Sequence, residues 1–235
     1  MRTLTSPTRL SYTFGEYEQL LRSLQSDGFQ FSDFSSLEDN EIVIRHDVDL
    51  LPEQALNMGR IEASNDVQST YCFLLTAPFY NLLEIRNVQF LEKLRELGHQ
   101  IGLHFNPHFY WSERPPQSDI EARVNAERAI LGRLLGDEID IVSFHIPPEW
   151  VLGETFDGFT NTYQADFFTD VTYRSDSNQK WRTEPPFPDK WASRIQLLIH
   201  PGLWSNEGRA MDDIVTEIGD SCRAEIETYM RPLGK

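Results

Sequence analysis

Apolar positions recur at helical spacing in the opening segment, where Phe14, Tyr17, Leu20, Leu21 and Leu24 share one face of residues 12 to 27 and Asp27-Gly28 supplies the stop. The pattern then changes period. Glu41-Ile42-Val43-Ile44 is a short β-branched run, read as a strand buried on both faces as in a parallel sheet. Pro52 sits at a first helical position, and residues 54 to 63 carry a stripe of Ala55, Leu56, Met58 and Ile61. Further strands are expected at 69–75, 99–104, 139–145, 167–173 and 195–200. Helices are expected at 87–97, ending at Gly98, at 118–135 with Ser118 as cap, and at 211–230. Strand and helix therefore alternate for most of the length, which predicts an α/β fold with a parallel sheet closed or nearly closed into a barrel. The pattern holds no internal repeat, linker or low-complexity tract. One domain over residues 1–235 is expected, with 1–40 as a helical lead-in.

Composition adds limits. Of 235 residues, 40 % are hydrophobic and 12 % aromatic, ordinary for one globular domain. The formal charge of −16 argues against nucleic acid and anionic membrane surfaces as partners. No run of about 18 apolar residues occurs and the first residues do not resemble a signal peptide, so a cytoplasmic protein with no membrane span is expected. Cys72 and Cys222 are read as packing thiols rather than a disulfide.

The chemistry gathers at strand ends. The first strand closes in Arg45-His46-Asp47-Val48-Asp49, and carboxylates two positions apart on an extended chain point to the same side. Like charges held so close need a cation between them, or one of them becomes a base near neutral pH. His104, His145, Asp176 and His200 stand at or just past other strand ends, and in a parallel barrel those ends open on one face. His104 and His108 are four residues apart, a spacing that brings two imidazoles to one side of a helical turn. Two imidazoles and a carboxylate would leave coordination positions open, as a catalytic ion requires. Trp111, Trp150, Trp181 and Trp204 are candidate stacking platforms, though packing explains each singly; Arg45 and Arg174 are candidate contacts for a substrate phosphate or carboxylate. His46 and His99 are assigned no chemical role.

From about residue 41 to 204 the chain resembles the polysaccharide deacetylase (NodB-like, carbohydrate esterase family 4-like) superfamily, as a divergent branch. The resemblance lies in Asp47-Val-Asp49, in Gly98-His-Gln-Ile-Gly-Leu-His104-Phe-Asn-Pro-His108, and in Leu197-Leu-Ile-His200-Pro-Gly. It implies a distorted parallel (β/α) barrel that removes an acyl group from an acylated sugar with one divalent metal, zinc first and nickel, cobalt or manganese as alternatives. It implies Asp49, His104 and His108 as metal ligands, Asp47 as general base and His200 as general acid; a swap of Asp47 and Asp49 stays open, and Asp176 is the candidate for holding His200 charged, since a nearby carboxylate raises a histidine pKa, with a loop-capping aspartate as the alternative. The chain departs from the pattern at Val48, at Phe105 in place of Ser or Thr, and at Phe144-His145-Ile-Pro147-Pro148-Glu149 in place of an arginine segment. His145 is then the candidate for orienting Asp47, and Pro148 has no N–H to offer an oxyanion. The expected substrate is an N-acetyl or N-formyl sugar, nucleotide- or lipid-linked. The alternatives are an inactive metal- and sugar-binding barrel, and an amidase for a small non-sugar amide.

Overall fold

The computed structural model describes residues 9–187 and 193–231. Eight parallel strands form one sheet: β1 (Gln30–Ser32), β2 (Glu41–Val48), β3 (Thr70–Phe73), β4 (Gln100–Phe105), β5 (Ile141–Phe144), β6 (Thr160–Asn161), β7 (Thr172–Ser175) and β8 (Arg194–Ile199). Their order is β6-β5-β4-β3-β2-β8-β7, with β1 pairing the start of β2. The helices are α1 (Phe14–Ser26), α2 (Pro52–Ser64), α3 (Ile85–Glu96), α4 (Gln117–Leu135) and α5 (Met211–Met230). The fold is thus the incompletely closed parallel α/β barrel that the alternation implied.

Local chemistry fixes the elements. Thr13 and Glu16 make a reciprocal capping box at the start of α1. Pro52 occupies the first turn of α2, where a missing N–H costs nothing. On the outer face of the sheet, β3, β4 and β5 turn Tyr71, Phe73, Leu103, Phe105, Val142 and Phe144 into one core cluster with α3 and α4. A second cluster joins α1 and the start of α5 to Ile42, Ile44, Ile195 and Leu197.

The inner face is different. Arg45 and Gln196 are fully buried inside the barrel. The Gln196 side-chain amide donates to the carbonyls of Thr162 and Phe167 at 2.8 and 2.5 Å, and Arg45 Nη1 donates to Thr162 Oγ1 at 2.6 Å. Polar side chains therefore bridge from β2 and β8 to the residues after β6, where no backbone ladder between β6 and β7 is described.

Four expectations need correction. The strand expected at 167–173 is a 3-10 turn at Ala165–Phe167 followed by β7, because Phe167 leaves the sheet to pack on Phe34 and Phe168 turns to Tyr173. Residues 1–40 are more than a helical lead-in, since β1 adds a short strand there. The cap of α4 is Pro116, and the Ser118 hydroxyl contacts only Asp119. Trp181 and Trp204 are buried in the core, while Trp111 and Trp150 pack edge to face on each other.

Candidate metal centre and acid–base pair

Alternation along β2 decides which residues meet. Arg45, Asp47 and Asp49 face the barrel interior, whereas His46 and Val48 face the helices. His104, next to last in β4, lies on the same inner face, and His145 follows β5. Asp49 Oδ1 lies 3.2 Å from His104 Nε2 and 2.9 Å from His145 Nδ1, and the two imidazole nitrogens are 3.2 Å apart. Three donor atoms thus form a near-equilateral triangle. Ligand bonds of about 2.0–2.1 Å would set donors roughly 2.9 Å apart at octahedral and roughly 3.3 Å apart at tetrahedral angles, so the triangle matches one face of either. Protons satisfy it poorly, because two ring N–H groups aimed at one oxygen would also confront each other. The residues fit a divalent cation.

The cluster differs from the expected ligands in its third member. His108 does not join the cluster: its Nε2 donates to the Ile146 carbonyl at 2.8 Å, and its backbone N–H is held by Asn106 Oδ1 in the 3-10 turn Pro107–Phe109. The four-residue spacing brings imidazoles together only on a helix, and His104 is still in strand geometry. His145 takes the third corner instead. Ile146, just after it, holds φ of +45°, a left-handed conformation rare for a β-branched residue.

Asp47 lies deeper, 2 % exposed. Arg45 meets both of its oxygens, Nε to Oδ1 and Nη2 to Oδ2, each at 3.1 Å, and Ser143 Oγ donates to Oδ2 at 3.1 Å. Arg45 is therefore no substrate contact; it clamps Asp47, the part expected of His145. Its charge is shared with Gln196 Oε1 at 2.9 Å and with the Tyr163 hydroxyl at 2.7 Å. Burial alone would depress the guanidinium, but the Asp47 charge together with the neighbouring Tyr163, Tyr173 and Cys72 outweighs it and keeps Arg45 protonated. On its other side Asp47 Oδ1 faces His104 Nδ1 at 3.7 Å, so a carboxylate stands behind the imidazole whose other nitrogen joins the triangle.

His200 and Asp176 form the second half. Asp176 is fully buried and accepts from His200 Nδ1 at 2.6 Å, from the His200 backbone N–H at 3.0 Å and from Trp204 Nε1 at 2.8 Å. Burial would lower the His200 pKa, but the Asp176 charge and hydrogen bond outweigh it and raise it to about 9. The far nitrogen, Nε2, lies 3.8 Å from Asp49 Oδ2, which aims it at the triangle. Gly202 makes this approach possible. A Cβ there would sit 2.8 Å from Leu50 Cβ and 2.9 Å from the Leu50 carbonyl, so a side chain would push the His200 loop off the Asp49–Leu50 backbone. Burial would also push Asp49 up, yet hydrogen bonds from His104 and His145 hold it well below the usual carboxylate range.

Sequence reasoning overlooked Ser143, Tyr163, Thr162 and Gln196. The parity that paired Asp47 with Asp49 also places Arg45 on the inner face; for the other four no sequence signal distinguishes an inward polar residue from a surface one. Phe105, which replaces a hydroxyl residue, is fully buried against Tyr110, Trp111 and Phe144, and Asn106 braces the loop in its stead.

No family model matches the sequence, and no curated protein matches it. Among solved structures, the chain is similar to a Streptococcus pyogenes deacetylase, PplD, in complex with acetate, with 13 % identity, 80 % of this chain and 81 % of that one covered, and a TM-score of 0.46. It is similar to a family 4 carbohydrate esterase from Bacillus anthracis, with 15 % identity, 94 % and 93 % covered, and a TM-score of 0.42. A CE4 family pseudoenzyme from Bacillus anthracis matches at 12 % identity and a TM-score of 0.43, over 77 % of this chain; the match spans 60 % of that longer protein. At these identities and TM-scores the chemistry of the site rests on its own atoms.

Proposed function

We propose that this chain is a divergent polysaccharide deacetylase-like hydrolase that removes an N-acyl group from a sugar or sugar precursor, such as a nucleotide- or lipid-linked sugar, in the cytoplasm. The observation that carries the reading is the Asp49–His104–His145 triangle with His200 aimed at it across one pocket. A divalent ion held there, zinc first and nickel, cobalt or manganese as alternatives, would supply Lewis acidity toward water and the acyl carbonyl. Asp47 is the base in this scheme. Its Oδ2 carries the hydrogen bonds from Arg45 and Ser143, and Oδ1, 3.1 Å from Arg45 Nε and 3.7 Å from His104 Nδ1, is assigned the proton of the attacking water. His200, charged against Asp176, gives its Nε2 proton to the departing amine. The water oxygen ends on the acyl carbon, the C–N bond breaks, and a carboxylate and an amine leave.

The test is elemental analysis of the wild type beside His145→Ala and His108→Ala, followed by acyl release from N-acyl sugars by the metal-loaded wild type. One equivalent of ion, lost in His145→Ala and kept in His108→Ala, together with release, is the expected result. An ion bound without release would move the assignment to a sugar-binding barrel, a reading favoured by the missing N–H of Pro148. No ion after reconstitution would end both.

A further inference from the structure

The cavity over the triangle encloses about 590 Å³, inside the range of about 300–1,000 Å³ typical of pockets that surround whole small molecules. An acetyl or formyl group would fill only a corner of it. Its polar groups are nearly all engaged: Asp47, Asp49, His104, His145 and His200 belong to the reaction, the Tyr163 hydroxyl meets Arg45, the Tyr173 hydroxyl interacts with Tyr163 and Arg45, and Ser177 Oγ pairs with Ser175 Oγ at 2.5 Å. The wall is otherwise almost wholly apolar. Tyr163, Phe168 and Tyr173 form a ring cluster on one side, with centroids 4.9 to 6.3 Å apart, and Leu152, Leu198 and Leu203 add aliphatic surface. Asn178, exposed at the rim, is the polar group left over.

A sugar ring buried here would give up water around each hydroxyl without finding partners, which disfavours it. An aliphatic chain would gain at every methylene. We infer that the acyl group removed is an aliphatic chain several carbons longer than acetyl, lying against the Tyr163–Phe168–Tyr173 wall while the amine-bearing sugar stays at the rim beside Asn178. This rests on the deacylase reading above and replaces acetyl or formyl as its acyl group. The reaction balances as before: water adds to the chain's carbonyl carbon and the amine leaves with the His200 proton.

The experiment compares N-acetyl-, N-butanoyl-, N-hexanoyl- and N-octanoyl-glucosamine with the zinc-loaded full chain, reading released glucosamine as kcat/KM. About a fourfold rise per added methylene is expected until the cavity is full, at roughly 0.8 kcal/mol for each CH2 buried. Leu152→Trp, a half-buried position on the cavity wall, is expected to cut the hexanoyl-to-acetyl ratio at least tenfold. An acetyl substrate hydrolysed faster than the longer ones would overturn the chain-length assignment and leave the deacylase reading standing. Hydrolysis of none of the four by protein that holds its ion would overturn both.

Discussion

Arg45 is the residue on which the site turns. It is fully buried, and its partners Asp47, Thr162, Tyr163 and Gln196 come from three separate parts of the chain. Removing it strands the Asp47 charge in the barrel, and breaking a buried pair from one side costs about 3–5 kcal/mol. Arg45→Met is therefore expected to lower unfolding free energy by that amount in urea titrations, with loss of activity. Asp47→Asn keeps the shape and removes the base of the proposed scheme. It is expected to retain the ion and lose roughly 10²–10⁴-fold in kcat, and equal metal loss in Asp47→Asn and Asp49→Ala would reverse their roles. At this scale the sequence was legible where period-two alternation applied, as for Asp47 and Asp49. It misled where a spacing rule for helices was carried onto a strand end, as for His108.

Between elements, the corresponding feature is Glu62 of α2, which no exposure relieves. His46 of β2 lies 2.7 Å from it, Tyr71 and Ser69 each donate at 2.6 Å, the Tyr17 hydroxyl of α1 bonds to it, and His99 stands 3.6 Å away. One carboxylate so fastens two helices to three neighbouring strand segments. Burial would raise its pKa, but the charge and hydrogen bond of His46 outweigh it and lower it from 4.5 to about 2. Because the folded value lies below the unfolded one, the stabilisation is full above pH 4.5 and is lost as pH falls through about 2; the shift corresponds to about 3 kcal/mol. Glu62→Gln is expected to flatten that acid limb in stability measured against pH. An unchanged limb would place the acid sensitivity elsewhere. At the other extreme, α5 buries only Ile214 and Ile218, while Val215, Ile226, Tyr229 and Met230 are exposed. Amide exchange is expected to run much faster over 222–230 than over 211–218, since local opening is easiest where little is buried.

For the molecule as a whole, the architecture was readable because β-branched runs and amphipathic stripes alternate, and each long helix was found within a few residues of its bounds. What escaped were short pieces whose placement depends on distant partners: β1, held by the edge of β2, and the Phe167–Phe168 turn, held by Phe34 and Tyr173. The polar interior escaped for the same reason. Gln196, Thr162 and Arg45 are far apart in sequence and meet only once the sheet has curled.

Strand β2 carries scaffold and chemistry on opposite faces, odd residues inward and even residues outward. Its gene segment therefore has a grammar of pairs. One extra codon between 42 and 47 would exchange Asp47 for His46 inside the barrel and send a charge into the helix layer. Two would restore the faces while shifting the site along the barrel. The single-codon insertion is expected to abolish cooperative unfolding by circular dichroism, and the same insertion among the loop residues 36–39 to be tolerated. Odd steps in length along this strand reverse its faces, and even steps keep the faces but carry Asp47 and Asp49 away from His104 and His145.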